Sequence, residues 1–237
     1  MSGLSVPVPI GSVADALGCG LHEHVALVGG GGKSTLLHAL GLQLPGRRIL
    51  TTTTKMGADQ HRGHPVLIGP TDAEIEAVEA AAVVFSRTQG SKAVGVAPSD
   101  CDRWFRLADH VIVEADGARH HPFKAPRPFE PIVPDTCTML VSVIGADALG
   151  RVIADQCHRP LRVAALAGCS PYVRLTPDAA ATVILHERGA RREQPASARL
   201  AVVITKVDGP SAQLAADLVA AIALAEPAVT TVQIQRF

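Results

Sequence analysis

Between an apolar run and an apolar helical pattern the sequence places four consecutive glycines followed by a lysine and two hydroxyl residues: HVALVGGGGKST, His24 to Thr35. Gly29, Gly30, Gly31 and Gly32 have no side chains to keep an anion away. Backbone N–H groups can therefore turn inward, and a helix starting just after them adds positive potential. Lys33 can then reach β- and γ-phosphates, and the hydroxyl of Ser34, next to Thr35, can ligate Mg²⁺. The strict phosphate-loop pattern puts its first glycine where this chain has Leu27, so only Gly32-Lys33-Ser34 falls in strict positions. The deviant loops with a second lysine would carry it at Val28, and this chain does not. The plainer alternative is a glycine turn beside an ordinary lysine. The order strand, glycines, GKST and apolar helix favours phosphate binding, with GTP or ATP and Mg²⁺ as the expected ligands.

Three further stretches carry chemistry that such a loop would use. Thr51 to Thr54 are strand formers, but they end in Lys55 at the carboxyl edge where ligands of parallel sheets sit. Thr54 or Lys55 is expected to meet phosphate or Mg²⁺. In DHVIVEADG, Asp109 to Gly117, the carboxylates Glu114 and Asp116 stand two apart on a predicted strand and so face one side, able to hold Mg²⁺ or an attacking water. The same block fits an E-x-x-G switch whose Gly117 amide contacts the γ-phosphate. Downstream, Arg119, His120, His121 and Lys124 lie in a proline-rich segment and are placed to face the γ-phosphate or a second substrate, unless the segment is merely a rigid crossover. Late in the chain, Thr205-Lys206-Val207-Asp208 follows a core strand. There the aspartate can accept two hydrogen bonds from guanine while the lysine stem packs over the ring; adenine offers no such donor pair. The catalytic set expected is Lys33, Lys55, Glu114 and Asp116, with Ser34, Glu114 and Asp116 as metal ligands.

These groups need a scaffold that brings several strand ends together, and the pattern of elements supplies one. Val25–Val28, Arg48–Leu50 running into the threonines, Pro65–Gly69, Ala82–Ser86, the run before Glu114, Thr136–Ile144, Leu200–Ile204 and Val229–Ile234 read as strands. Between them, helices are expected over Ser12–Gly18, the stretch after the glycines to Leu44, Thr71–Ala81, Ser99–Ala108, Thr176–Glu187 and Pro210–Ala225. Prolines make Arg119–Pro134 an extended loop. No element is assigned to 147–168, and Arg188–Ala198 reads as a solvated polar loop. The expectation is α/β: one domain over 1–237, a P-loop NTPase-like three-layer fold with a mostly parallel central sheet.

Composition narrows the function classes. Of 237 residues 47% are hydrophobic but only 3% aromatic, which suits a parallel sheet packed from Val, Ile, Leu and Ala. Lys plus Arg and Asp plus Glu balance at 22 each, so the basic excess of a nucleic-acid or membrane-surface binder is missing. The start MSGLSVPVPIG lacks a basic leader, and the longest apolar helix pattern, Leu214–Ala225, is short and contains Asp217. Five scattered cysteines, an odd number without a CxxC pair, fit a reducing compartment. A cytoplasmic protein is expected, with its oligomeric state open.

Taken together, VGGGGKST, TTTTK, VEADGARHHPFKAP, EP-x-VP and ITKVD, in this order over nearly the whole chain, resemble the YqeC family. Its members are described as accessory proteins of selenium-dependent molybdenum hydroxylases, or as selenium cofactor biosynthesis proteins. The resemblance implies a P-loop NTPase acting in maturation of such an enzyme, with the hydroxylase or its cofactor-assembly proteins as partners. The family's usual GKTT and NK-x-D stand here as Gly32-Lys33-Ser34-Thr35 and Thr205-Lys206-Val207-Asp208. No motif for handling selenium is present in the sequence.

The residues alone leave three classes open. A hydrolase, GTP favoured, would couple turnover to handing on a cofactor or assembling a client. A small-molecule kinase or nucleotidyl-transfer enzyme would bind its acceptor through Arg119–Lys124. A binding module would sense nucleotide without turnover. Metal delivery is a weaker variant, since His61-x-x-His64, His120-His121 and Cys157-His158 are the only clusters and suit ordinary loops.

Overall fold

The computed structural model describes residues 6–235; residues 1–5, where the stretch bearing on a leader begins, and 236–237 lie outside the described residues. A short turn and α1 (Val13–Ala16) precede β1 (Glu23–Gly29) and α2 (Lys33–Gln43). The chain continues through β2 (Arg48–Thr52), β3 (Lys55–Gly57), β4 (Val66–Ile68), α3 (Asp72–Glu76), β5 (Ala81–Phe85), β6 (Arg87–Gln89) and β7 (Lys92–Val94). Next come α4 (Pro98–Trp104), β8 (His110–Glu114), β9 (Phe123–Lys124), β10 (Met139–Gly145), α5 (Ile153–Gln156) and β11 (Cys157–His158). The last elements are α6 (Pro160–Ala167), α7 (Pro177–Leu185), β12 (Arg199–Val207), α8 (Gly209–Ala225) and β13 (Thr230–Gln235).

Eight strands form one sheet in the order β13-β12-β10-β1-β8-β2-β5-β4, and every neighbouring pair in it is parallel. Alternation along each strand sends successive side chains to opposite faces. Val25 and Leu27 pack on the face covered by α1 and α2, while Ala26 and Val28 join the core beneath α6, α7 and α8. Further along that second face, Val111 and Val113 pack with Trp104 of α4 and Ile75 of α3. Both faces are buried, which is why the strands read as unbroken apolar runs. This three-layer α/β architecture is the one expected from the sequence.

Several boundaries differ from expectation for physical reasons. The helix expected over Thr71–Ala81 starts as foreseen, with a capping box between Thr71 and Glu74, but stops at Glu76. Ala81 is drawn into β5, where it pairs with Arg48 of β2. The helix after Ala97 begins at Pro98 and ends at Trp104 rather than Ala108. The threonine run leaves the sheet after Thr52; Lys55 opens β3, which pairs antiparallel with β7, itself paired with β6, in a small meander. The proline-rich connection is extended as expected, apart from β9, which pairs with β11. The stretch 147–168 holds α5, β11 and α6, pieces too short to leave a periodic signature.

Candidate functional site

The glycine loop runs from the end of β1 to the start of α2. A Cβ on Gly31, whose φ is +81°, would lie 2.3 Å from the backbone N of Gly145, so only glycine lets the loop pass the end of β10. The Gly29 N–H donates to Asp116 Oδ2 (3.1 Å) and that of Gly30 to the Val143 carbonyl (2.8 Å). These two amides are spent inside the fold and do not face an anion. By contrast, the N–H groups of Gly31, Gly32, Lys33, Ser34 and Thr35 have no acceptor among the described residues. They are the unpaired donors of a helix start, aimed at whatever lies in front of it.

Lys33 is buried. Its Nζ donates to the Gly29 carbonyl (2.7 Å) and lies 3.2 Å from Asp116 Oδ1 and 3.7 Å from Glu114 Oε1. Burial alone would pull this ammonium down, but Asp116 and then Glu114 outweigh it and hold its pKa above the usual lysine value. Ser34 Oγ donates to Glu114 Oε2 at 2.8 Å. The hydroxyl and carboxylate thus stand side by side as hard oxygen donors, the type Mg²⁺ takes when phosphates and water complete its shell. No group of three or more His, Cys, Asp or Glu that could hold a metal occurs among the described residues.

Asp116 and Lys124 depart from their expected roles. Asp116, 2% exposed, is enclosed by Lys33, by the Gly29 N–H and by Lys124 Nζ (3.0 Å), so its charge is already matched and it does not line the cavity. It holds the lysine from behind the cavity wall. Lys124 is equally committed, with its Nζ 3.0 Å from Glu130 Oε2 and 2.9 Å from the Gly117 carbonyl. Arg159 grips Glu130 with both arms, at 2.6 and 2.8 Å. Burial would raise the Glu130 pKa, but Arg159 and Lys124 lower it to about 2. A chain of buried charge therefore runs from the loop lysine to the start of α6.

A cavity of about 540 Å³ opens in front of the loop, at the carboxyl ends of the strands where parallel sheets bind ligands. It is lined by Gly31, Gly32, Lys33, Ser34 and Thr35, by Glu114 and Gly117, and by Arg119, His120 and His121. Lys55 reaches it from β3 and Lys206 from the end of β12. Thr54 does not, because its N–H and Oγ1 are bonded to Thr52 Oγ1 in the turn. Thr205 is also outside the lining; its hydroxyl donates to the Gly31 carbonyl and braces the loop. Asp208 is the N-cap of α8, joined to Ser211 in a capping box, and Lys206 Nζ pairs with Asp147 Oδ2 at 2.7 Å. Of the loop glycines, Gly29 and Gly30 shape the turn from behind.

Residues that the sequence did not single out complete the walls: His38, Gln60, Arg62 and Lys92. Arg62 donates to Thr35 Oγ1 (3.0 Å), and His38 approaches the Gln60 carbonyl at 2.8 Å and stacks on His64. His121 stacks on His158, whose pKa is driven down to about 4 by burial and then by Arg159, Lys124, His121 and Arg119. Four of the five non-glycine residues with positive φ among those described, Arg62, Arg119, His120 and Lys206, line the cavity. Backbone strain of this kind gathers where a site needs side chains aimed against local preference.

A family model described as YqeC protein matches residues 25–161, from β1 to the start of α6. That span holds the glycine loop, both carboxylates and the whole buried charge chain. The chain belongs to the YqeC family. A YqeC relative, "Uncharacterized protein YqeC" of Escherichia coli (strain K12), is 30% identical over 186 residues, covering 74% of this chain and 72% of that protein. No solved structure matches the chain. The Thr205–Asp208 segment, at the end of β12, lies beyond the residues that the YqeC model matches. No helix among the described residues of this YqeC protein is long and apolar enough to cross a membrane.

Proposed function

We propose that this YqeC protein binds a nucleoside triphosphate with Mg²⁺ and hydrolyses it, with GTP as the favoured nucleotide. The observation that carries the reading is the meeting of Lys33, Ser34 and Glu114 in front of five unpaired amides at the carboxyl edge of a parallel sheet. In this reading the amides of Gly31 to Thr35 cradle the phosphates, and Lys33 turns from its carboxylates toward β- and γ-phosphate oxygens. Ser34 and Glu114 hold Mg²⁺, which when bound supplies charge neutralisation of the phosphates. The Gly117 N–H would meet the γ end.

The preference for guanine rests on Thr205–Asp208. The end of β12 lies two strands from β1, a displacement of about 10 Å, which suits the distance from phosphates to base. Lys206 lines the cavity on that side. The role in molybdenum hydroxylase maturation, with the hydroxylase or its assembly proteins as partner, is supported only by the family resemblance. Equilibrium binding of fluorescent GTP and ATP analogues with and without Mg²⁺, followed by phosphate release, tests the reading. Saturable, Mg²⁺-dependent binding with release supports it; no binding of either nucleotide overturns it.

A further inference from the structure

The cavity carries more positive charge than the triphosphate reading uses. Two of its lysines are already matched, Lys33 by Asp116 and Glu114 and Lys206 by Asp147. Lys55, Arg62, Lys92 and Arg119 also line it, and none has a carboxylate within ion-pair distance among the described residues. Glu114 is the single carboxylate in the lining. Unmatched like charges facing one recess repel one another, and an anion between them relieves that cost.

Their placement is directional. β10 and β12 lie on one side of β1, and β8 and then β2 lie on the other. With the base on the β12 side, as in the reading above, the γ end of the triphosphate would point toward β8 and β2. Beyond it stands the β3-β7-β6 meander. Its register pairs Gly57 with Lys92 and Lys92 with Gln89, so alternation puts Lys55, Lys92 and Gln89 on one face. Lys55 Nζ donates to Gln89 Oε1 at 2.9 Å, a neutral partner that positions the ammonium without cancelling it. Arg62 and Arg119 converge from two different loops, each with positive φ, 46° and 48°.

We propose that this half of the cavity binds a second ligand, a small phosphate-bearing anion, held by Lys55, Lys92, Arg62 and Arg119 next to the γ-phosphate. Two lysine point charges and two guanidinium forks match a multiply charged tetrahedral oxyanion better than a single carboxylate. The position, although not the binding itself, rests on the triphosphate lying on the glycine loop as proposed above.

The test titrates inorganic pyrophosphate calorimetrically into protein saturated with Mg²⁺ and a non-hydrolysable GTP analogue, in excess Mg²⁺. One further equivalent is expected to bind. Replacing both meander lysines, Lys55→Gln with Lys92→Gln, should weaken it at least about tenfold, and Lys55→Arg with Lys92→Arg should restore it. Both side chains are exposed, and melting curves of each variant verify the fold. No binding to the loaded wild type, or binding undiminished in the double Gln variant, overturns the inference. A separate arm uses nucleotide-free Lys33→Ala protein. Pyrophosphate binding there that depends on Lys55 and Lys92 would show this site to be independent of the loop, and it would stand even if the wild-type protein took up neither GTP nor ATP, the outcome that removes the nucleotide reading.

Discussion

Lys33 Nζ lies 3.2 Å from Asp116 Oδ1, and the same carboxylate takes Lys124 Nζ at 3.0 Å through its other oxygen. One buried aspartate thus compensates two buried ammonium groups, and the Gly29 N–H adds a third contact to it. Removing one partner of a buried ion pair leaves the other uncompensated in a low-dielectric interior, which costs far more than the pair contributes. Asp116→Asn is therefore expected to lower unfolding stability by about 3 kcal/mol. Glu114→Gln, at the cavity wall, should change it by less than about 1 kcal/mol and instead shift the Mg²⁺ dependence of nucleotide binding. Urea unfolding and Mg²⁺ titration of both variants separate the roles; equal stability of the two would contradict the anchoring role of Asp116.

Lys33→Ala tests the loop itself. It removes a phosphate contact and also leaves Asp116 with one lysine fewer, so two readouts are needed. Nucleotide affinity should drop at least about tenfold, roughly 1.4 kcal/mol. Stability should fall as well, because Asp116 loses part of its compensation. Unchanged binding of GTP and ATP in a folded variant would rule out phosphate binding at the loop.

The Glu130 clamp predicts a pH dependence with a definite sign. Its pKa is lowered from 4.5 to about 2 in the folded protein, so the native state favours the charged carboxylate. That contribution is complete above the unfolded value and is lost as pH falls from about 4.5 toward 2. Wild type should therefore lose stability steeply in this interval, and Glu130→Gln should show a shallower acid limb from a lower plateau. Thermal melts between pH 6 and 2.5 compare the two slopes, and identical slopes would mean that Glu130 is not the group lost.

The sequence made the central sheet legible because its strands are buried on both faces and appear as continuous apolar runs, as in Val25–Val28 and Leu200–Ile204. The meander was not legible. Three-residue strands such as Lys55–Gly57 and Lys92–Val94 are too short to show alternation, so Lys92 gave no signal, and Arg62 lies in a turn outside any strand. Glu114 and Asp116 share a side only while the strand continues. β8 ends at Glu114, and Asp116 turns inward beneath the loop instead of facing the cavity. The role of Lys124 was hidden for a related reason, since its partners Glu130 and Arg159 come together only through the short pairing of β9 with β11.

Asp208 gives the most discriminating prediction, because two explanations of the same residue compete. It caps α8 with Ser211, and a capping aspartate needs no ligand to account for it. If it also reads the base, the carboxylate accepts two N–H bonds from guanine and meets an acceptor nitrogen in adenine, so discrimination should be large. Asp208→Asn retains a good N-cap, which makes it a clean substitution: helix stability should move by only a few tenths of a kcal/mol, roughly, while base recognition changes. The variant should weaken GTP and improve xanthosine triphosphate, whose additional carbonyl accepts from the new amide. Competitive binding of GTP, ATP and xanthosine triphosphate to both proteins decides it. A wild type that prefers ATP, or a variant with no gain for xanthosine triphosphate, would leave Asp208 as a helix cap alone and move base recognition to other residues.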